Sequence, residues 1–324
     1  MSLRVPSFFL LVPGPWRRPS ELVDVLAAAG HVVTDLGDGP PRAGGVGVDV
    51  VEDPALGAAF SFGRMGRLPG EVIAAAAACE RAALLEVAMR FDEDPRRVAA
   101  IGRTLRDAGG VAVRVETSGA ASAWEPWLAQ LDSGAPAQLV ASAVVIVNDG
   151  DAVFTCGMHC FDLPDAQVAA SCIEGPLEWL DALCTFQLAE QPVLGSGHTF
   201  APNARAQRRK LERWPDHRHH PNDGRHNPFG LWRLLDDADP GLEALSTVPT
   251  VMPSLAALLV AAERAAARPL SRDEVERVLA KSPAVAMSLA HANALERSRG
   301  YMDIEPRRVW EQWLIVREHM RSNP

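Results

Sequence analysis

Two stretches of the chain carry the same series of motifs in the same order, which limits the folds that it can adopt. Each series follows an apolar segment that is typical of a strand. The matched pairs of segments are residues 26–32 with 105–111, residues 60–63 with 154–157, and residues 68–72 with 163–168, the last pair with one inserted residue. Self-similarity of this kind predicts a tandem duplication.

Local signals assign secondary structure to the two copies. In the first copy, apolar residues recur at helical spacing over residues 22–29. In the second copy, Asp94 precedes Pro95, a combination that predicts the start of a helix with a side-chain cap. The matches predict one β-α-β-β-β-α unit (strand, helix, strand, hairpin, helix), present at about residues 7–80 and 81–190.

The predicted hairpins decide the fold class. They are expected at residues 48–62 and 143–156, and the second contains the turn sequence Asn-Asp-Gly at residues 148–150. Helices are expected to begin at Pro69 and Pro164. Because a hairpin requires antiparallel pairing, the predicted class is α+β with a mostly antiparallel sheet.

The chain is expected to have three parts. Residues 1–200 form the duplicated core, and residues 201–240 form a polar, His- and Arg-rich loop. Loops of that length are usually functional or disordered. Residues 241–324 form a C-terminal helical segment, in which Ser254 and Ser271 are suited to cap helices.

Composition excludes several classes of protein. With 324 residues, of which 48% are hydrophobic, the chain can bury a sizeable core. No uncharged apolar stretch is long enough for a membrane span, so no membrane partner is expected. The formal net charge of −9 disfavours nucleic-acid binding, which needs a basic surface. Five cysteines, an odd number, and no signal peptide predict reduced thiols in the cytoplasm.

One candidate site is a cluster of imidazoles and carboxylates in the polar loop. Side chains of these types within a few residues of each other are suited to bind zinc or a similar ion. No other cofactor is expected, and the alternative is a solvated polar loop. The residues are Asp216, His217, His219, His220, Asp223 and His226.

A second candidate is the trio Cys156, His159 and Cys160, which exists only in the second copy. With His198 nearby, the trio would supply four nitrogen and sulfur ligands for a metal. A nucleophilic Cys with His as its base is another interpretation. The remaining one is that the cysteines are buried as small apolar residues.

Two sets of residues are candidates for binding a partner. Arg208, Arg209 and Arg213 are suited to hold an anion or an acidic protein, unless they form a solvated face. Trp310 and Trp313 lie in the predicted last helix, where they either dock that helix onto the main body or face a partner.

Residues 157–168 (Gly-Met-His-Cys-Phe-Asp-Leu-Pro-Asp-Ala-Gln-Val), with Phe-Thr before them and Gly-Ser-Gly-His-Thr at 195–199, resemble a known family. The chain is similar over residues 8–200 to the bacterial domain of unknown function 4261. It departs at Asp162, where the family tends to have Gly, and at residues 166–168. The resemblance implies no established activity and no catalytic residues.

We therefore expect a non-catalytic protein-binding role, of the immunity or adaptor kind, because the acidic chain contains no standard catalytic motif. Two alternatives stay open. One is a metal-dependent hydrolase that uses the loop from His217 to His226. The other is a small-molecule sensor with a pocket between the two copies.

Overall fold

A computed structural model of the 324-residue chain gives the fold. It describes residues 6–322 except for short gaps, which fall at residues 64, 65, 67, 170–174, 217, 236–246, 289–294, 296, 297, 300–302 and 305. The chain divides into two compact units, residues 1–236 and 237–324. Each unit is described by itself below.

The first half of the first unit is built around a six-stranded sheet. In chain order its elements are β1 (Phe8–Pro13), α1 (Pro19–Ala28), β2 (Val33–Asp35), β3 (Val46–Glu52), α2 (Leu56–Ala59), α3 (Gly70–Ala77), β4 (Arg81–Val87), α4 (Pro95–Asp107), β5 (Val113–Val115) and β6 (Ala120–Ser122). The strand order is β2-β3-β4-β1-β5-β6.

The centre of this sheet has a split β-α-β arrangement. β1 pairs antiparallel with both β4 and β5, and β3 pairs antiparallel with β4. The connections β1-α1-β3 and β4-α4-β5 therefore interleave. The predicted helices are confirmed: α1 buries Leu22 and Leu26, and the Asp94 side chain caps α4 by accepting the Arg97 N–H.

The second half of the unit contributes another sheet. Its elements are α5 (Trp124–Ser133), α6 (Pro136–Ala143), β7 (Val145–Asn148), β8 (Ala152–Cys156), β9 (Asp165–Ala169), α7 (Pro176–Glu190), β10 (Thr199–Phe200), β11 (Arg209–Trp214) and β12 (Leu231–Leu235). The order is β10-β11-β12-β9-β8-β7, and only β12 and β9 pair in parallel. Among the described residues, mixed sheets and ten helices confirm the α+β class.

Several predicted elements are wrong. The first hairpin is absent, because residues 56–59 form α2 and β3 pairs with β4 instead. Pro164 does not begin a helix; β9 follows it and lies between β8 and β12. The segment 201–240 is not a single loop, since it holds β11 and β12. Arginines obscured the strand pattern, because the guanidinium groups of Arg213 and Arg233 lie over tryptophan rings of the neighbouring strand.

The structure does not confirm the duplication. Residues 26–32 and 105–111 do occupy equivalent places after α1 and α4. The other matches fall on unlike structure, since residues 154–157 include the end of β8, whereas residues 60–63 follow α2. The expected second copy also gives β4 and β5 to the first sheet.

One hydrophobic core runs through both sheets of this unit. Three aromatic rings connect them: Phe8 of β1 contacts Phe91 with ring centroids 4.8 Å apart, and Phe91 contacts Phe161 at 5.7 Å. Both contacts are edge-to-face, a favourable geometry for aromatic pairs. Phe161 ends the 3-10 turn Met158–Phe161, so this chain of rings positions the turn against β1.

The second unit has its own core. Its elements are β13 (Thr247–Val251), α8 (Leu255–Ala266), α9 (Arg272–Lys281), β14 (Ala284–Ser288) and α10 (Val309–Ser322). The caps at Ser254 and Ser271 are confirmed, the latter as a capping box with Glu274. The segment is not purely helical, because β13 and β14 pair antiparallel. None of the helices described in either unit has the length and hydrophobicity of a membrane-spanning segment.

Candidate functional site

A buried carboxylate joins the second sheet to the loop between β11 and β12, which we call the 215–230 loop. Asp165, at the start of β9, is 1% exposed. It accepts hydrogen bonds from Thr155 Oγ1 (2.9 Å), from the Met158 N–H (3.2 Å) and from Asn227 Nδ2 (2.7 Å). Burial raises the pKa of Asp165 in spite of the nearby charge of Arg218.

A second buried carboxylate holds the 215–230 loop together. Asp216 accepts from the backbone N–H groups of Asn227 (2.9 Å) and Arg218 (3.0 Å) and from Arg218 Nε (3.4 Å), and it lies 3.3 Å from His219 Nδ1. Burial alone would raise the pKa of Asp216. The bond from His219 and the charge of Arg218 outweigh burial and hold that pKa well below its ordinary value. The loop is therefore tied to the sheet at Asp165 and held together internally at Asp216.

A cleft lies between this loop, the 3-10 turn and the start of β1, and we call it the polar cleft. Its volume is about 570 Å³, which is in the range of small-molecule sites. The lining residues on which the arguments below depend are Phe9, His159, Asp162, Asp223, His226 and Phe229. Of these six residues, His159, Asp223 and His226 are candidates from the sequence, and Asp162 is a departure from the pattern of the domain of unknown function 4261. No sequence pattern marks Phe9 or Phe229.

Asp162 takes an unusual backbone conformation at the rim of this cleft. Its φ of 58° lies in the left-handed region, which Gly adopts without cost and which Asp tolerates better than most residues. This conformation gives a physical reason for a Gly at the equivalent place in the family that the segment resembles. Burial raises the pKa of Asp162, and the nearby Arg90 only partly offsets that effect.

The two cysteines of the second candidate are buried in packed positions. Cys160 is in contact with Thr117 Oγ1 at 3.2 Å, and Cys156 donates to the Arg225 carbonyl at 3.8 Å. Burial raises the pKa of Cys160 to about 12 and that of Cys156 well above its usual range. Both groups therefore favour the thiol form, whereas a nucleophilic cysteine is a thiolate, so the interpretation of Cys156 or Cys160 as a nucleophile gains no support.

The histidines of the sequence-predicted metal sites do not all converge. His219 and His226 both lie near Asp216 Oδ2, with their Nδ1 atoms at 3.3 Å and 3.7 Å. His220 Nδ1 accepts from the Asn222 N–H, and His198 Nδ1 accepts from the Gly195 N–H beside β11. His217 lies outside the described residues. Over the part of the chain that is described, no three side chains of His, Cys, Asp or Glu stand where they could share a metal ion.

The residues expected to bind a partner are dispersed. Arg208 is exposed and near Thr199, Arg209 begins β11, and Arg213 lies over the Trp232 ring at 4.8 Å. Trp313 is 1% exposed in the core of the second unit, and Trp310 packs against the same core. Both tryptophans of α10 thus pack within their own unit, and the burial of Trp313 gives no support to the alternative that it faces a partner.

An apolar groove runs along β7, and no pattern in the sequence pointed to it. We call it the β7 groove; its volume is about 710 Å³. Two large apolar residues that line it are exposed, Phe62 at 65% and Leu177 at 44%. Isolated exposed apolar residues are ordinary in any sequence, so no pattern marked this pair in advance.

β7 is an edge strand of its sheet. It pairs with β8 on one side, and no strand lies on its other side in the described part of the chain. The Asp149 N–H donates to the Ala152 carbonyl at 3.1 Å. Since ladder bonds alternate in an antiparallel pair, Val147 bonds to β8, whereas the backbone N–H and C=O of Ile146 and Asn148 point outward.

Comparisons with family models, with curated proteins and with solved structures found no match to this chain. The resemblance to the domain of unknown function 4261 therefore stays a prediction.

Proposed function

We propose that this protein binds a partner protein by accepting an extended segment of it as an added strand along β7. The observation that carries this proposal is the open edge of β7 beside an apolar groove. Strand addition of this kind combines backbone hydrogen bonds, which give affinity, with pockets for alternate side chains, which give specificity.

The backbone of β7 supplies the first part of the interaction. The outward N–H and C=O groups of Ile146 and Asn148 form a ready template for one more strand. Proteins usually protect such edges with prolines, bulges or charges within the strand. The sequence of β7, Val-Ile-Val-Asn, contains none of these, so its edge is suited to pairing.

The groove supplies the second part. Phe62 and Leu177 line the groove with exposed apolar side chains, and burying each would contribute about 1–2 kcal/mol to binding. A partner strand that lies on β7 would place every second side chain toward the groove. The segment is therefore expected to carry apolar residues at alternate positions.

Acidic residues next to the β7 groove favour basic residues at the two ends of the partner's segment. Asp149 lies in the exposed turn after β7, and Glu178 lies exposed in the first turn of α7, beside Leu177. The whole chain has a net charge of −9. The partner is thus a protein with an extended apolar segment that is flanked by Lys or Arg. A cytoplasmic location, consistent with four free cysteines among the described residues, is part of this proposal.

A display library of decapeptides tests the proposal, with apolar residues at alternate positions and Lys at both ends. Selected peptides are expected to slow hydrogen exchange at the amides of Ile146 and Asn148. Selection that yields no binders, or binders that leave exchange along β7 unchanged, would contradict strand addition at this edge.

The alternative of a metal-dependent hydrolase gains no support from the described residues, whereas the sensor alternative has the polar cleft in its favour.

A further inference from the structure

The polar cleft has a wall that is held in place before any ligand arrives. Asp216 and Asn227 tie the 215–230 loop to itself, and Asn227 ties it to Asp165 of β9. The opposite wall is the start of β1, which the contacts among Phe8, Phe91 and Phe161 join to the 3-10 turn. Sites built on such rigid supports bind with a small loss of conformational entropy.

Each of the two histidines in the cleft bonds to a backbone carbonyl through one ring nitrogen. His159 Nε2 is 3.2 Å from the Gly224 carbonyl, and His226 Nδ1 is 3.0 Å from the His219 carbonyl. A carbonyl only accepts, so these nitrogens donate. Burial lowers the pKa of His159, which favours a neutral ring whose other nitrogen carries a lone pair. For His159 that atom, Nδ1, is buried and has no partner among the described residues.

The cleft contains two carboxylates, and no Lys or Arg is among the described residues that line it. Asp223 is paired with Arg225 at 2.8 Å, which leaves Asp162 as the second carboxylate. The cation near Asp162 is Arg90, which already forms an ion pair with Asp92 at 3.0 Å.

Aromatic side chains complete the lining. Phe9 and Phe229 both border the cleft and are partly buried. The face of an aromatic ring attracts a cation through its quadrupole. Carboxylates, acceptor nitrogens and aromatic faces are thus the groups that a donor-rich cation requires.

We propose that the polar cleft binds a primary ammonium or guanidinium group, with Asp162 as its counter-ion. The group belongs either to a small amine or to a Lys or Arg side chain of a protein. This site is distinct from the β7 groove, and neither proposal depends on the other.

Calorimetric titrations at pH 7.5 and low salt test the proposal with charged probes and their neutral analogues. One arm compares 2-phenylethylamine with 2-phenylethanol, and the other compares acetyl-Ala-Arg-Ala-amide with acetyl-Ala-Gln-Ala-amide. Binding of the amine alone identifies a small ligand as the source, and binding of the Arg peptide alone identifies a protein side chain. If neither cation binds more tightly than its neutral analogue, the proposal is overturned.

Variants locate the binding. Asp162→Asn keeps the shape and removes the charge, and we expect it to weaken cation binding by about tenfold or more. The matched control is Asp149→Asn, in the exposed turn after β7, which should bind as the original protein does. If the Asn variant does not fold, Asp162→Gly replaces it, because Gly suits the left-handed backbone. Equal affinity of the folded Asp162 variant and the original protein contradicts the assignment.

Discussion

Asn227 donates from its side-chain amide to the buried carboxylate of Asp165 at 2.7 Å, across 62 residues of sequence. This bond attaches the 215–230 loop to β9. Replacing Asn227 with Ala leaves a buried carboxylate short of one donor, so we expect the free energy of unfolding to fall by about 2–3 kcal/mol. Chemical denaturation measures this. Asn222→Ala, in the exposed part of the same loop, is the control and should change the free energy by less than about 0.5 kcal/mol.

Asp216 makes stability depend on pH. Its folded pKa is depressed, so its contribution is fully present above the unfolded pKa of about 3.9 and is lost as the pH falls toward the folded value. We expect Asp216→Asn to lower the free energy of unfolding at pH 7 and to flatten its decline between pH 5 and pH 3, taken here as an approximate window. Denaturation at several pH values tests this. A variant with an unchanged slope would contradict the assigned role.

Cys160 should resist modification while the protein is folded. Its pKa of about 12 leaves roughly a thousandfold less thiolate than an ordinary cysteine has near neutral pH. Alkylation with iodoacetamide at pH 8, followed by peptide mass spectrometry, is expected to label Cys79, which is only partly buried, before Cys160. Labelling of Cys160 should require denaturant. Rapid labelling in the native protein would show that the thiol is accessible and reactive.

The β7 groove is expected to affect binding but not stability. Phe62→Ser and Leu177→Ser change exposed side chains, so each should alter the free energy of unfolding by less than about 0.5 kcal/mol. Together they should reduce the affinity of library-selected peptides about tenfold. Val193→Ser is the matched control, since Val193 is 95% exposed and does not line the groove. Equal losses in the control would point to non-specific adhesion.

Trp313 anchors the second unit. It is 1% exposed in a core with Leu255 and Val275, and we expect Trp313→Ala to cost about 3–5 kcal/mol of stability there. Limited proteolysis of the Trp313→Ala variant, with mapping of the cleavage sites, should show faster cleavage within residues 247–322 than within residues 6–235. Ile315→Ala on the exposed face of α10 is the control and should leave the cleavage rate unchanged.

Local features of the fold could be predicted from the sequence, and non-local ones could not. The cap at Asp94, the capping box at Ser271 and the hairpin through Asp149 depend on residues a few positions apart. In contrast, β9 is a strand because it lies between β8 and β12, and β12 is more than sixty residues away. The proline before β9 and the match to residues 68–72 both favoured a helix, and no local signal opposed them.

In the candidate sites, too, the sequence marked individual residues but did not predict which of them lie together. The sequence marked His159 and His226 as possible metal ligands and Asp162 as a departure from the family pattern. The structure brings all three residues to one cleft. It does not bring His198 to them. Phe9 and Phe229, which complete the lining, read as ordinary strand and loop residues. The β7 groove was missed because its main property, exposure, depends on which strand is at the edge of the sheet.

The interleaving of β1-α1-β3 with β4-α4-β5 has a consequence for folding during synthesis. β1 precedes the other strands that the structure describes, yet both of its neighbours come much later, beginning at Arg81 and Val113. As the nascent chain leaves the ribosome, β1 must wait for about a hundred residues before its second neighbour arrives, and contacts of such long sequence separation form slowly. Its apolar sequence Phe-Phe-Leu-Leu-Val is therefore the segment that a chaperone would have most reason to shield.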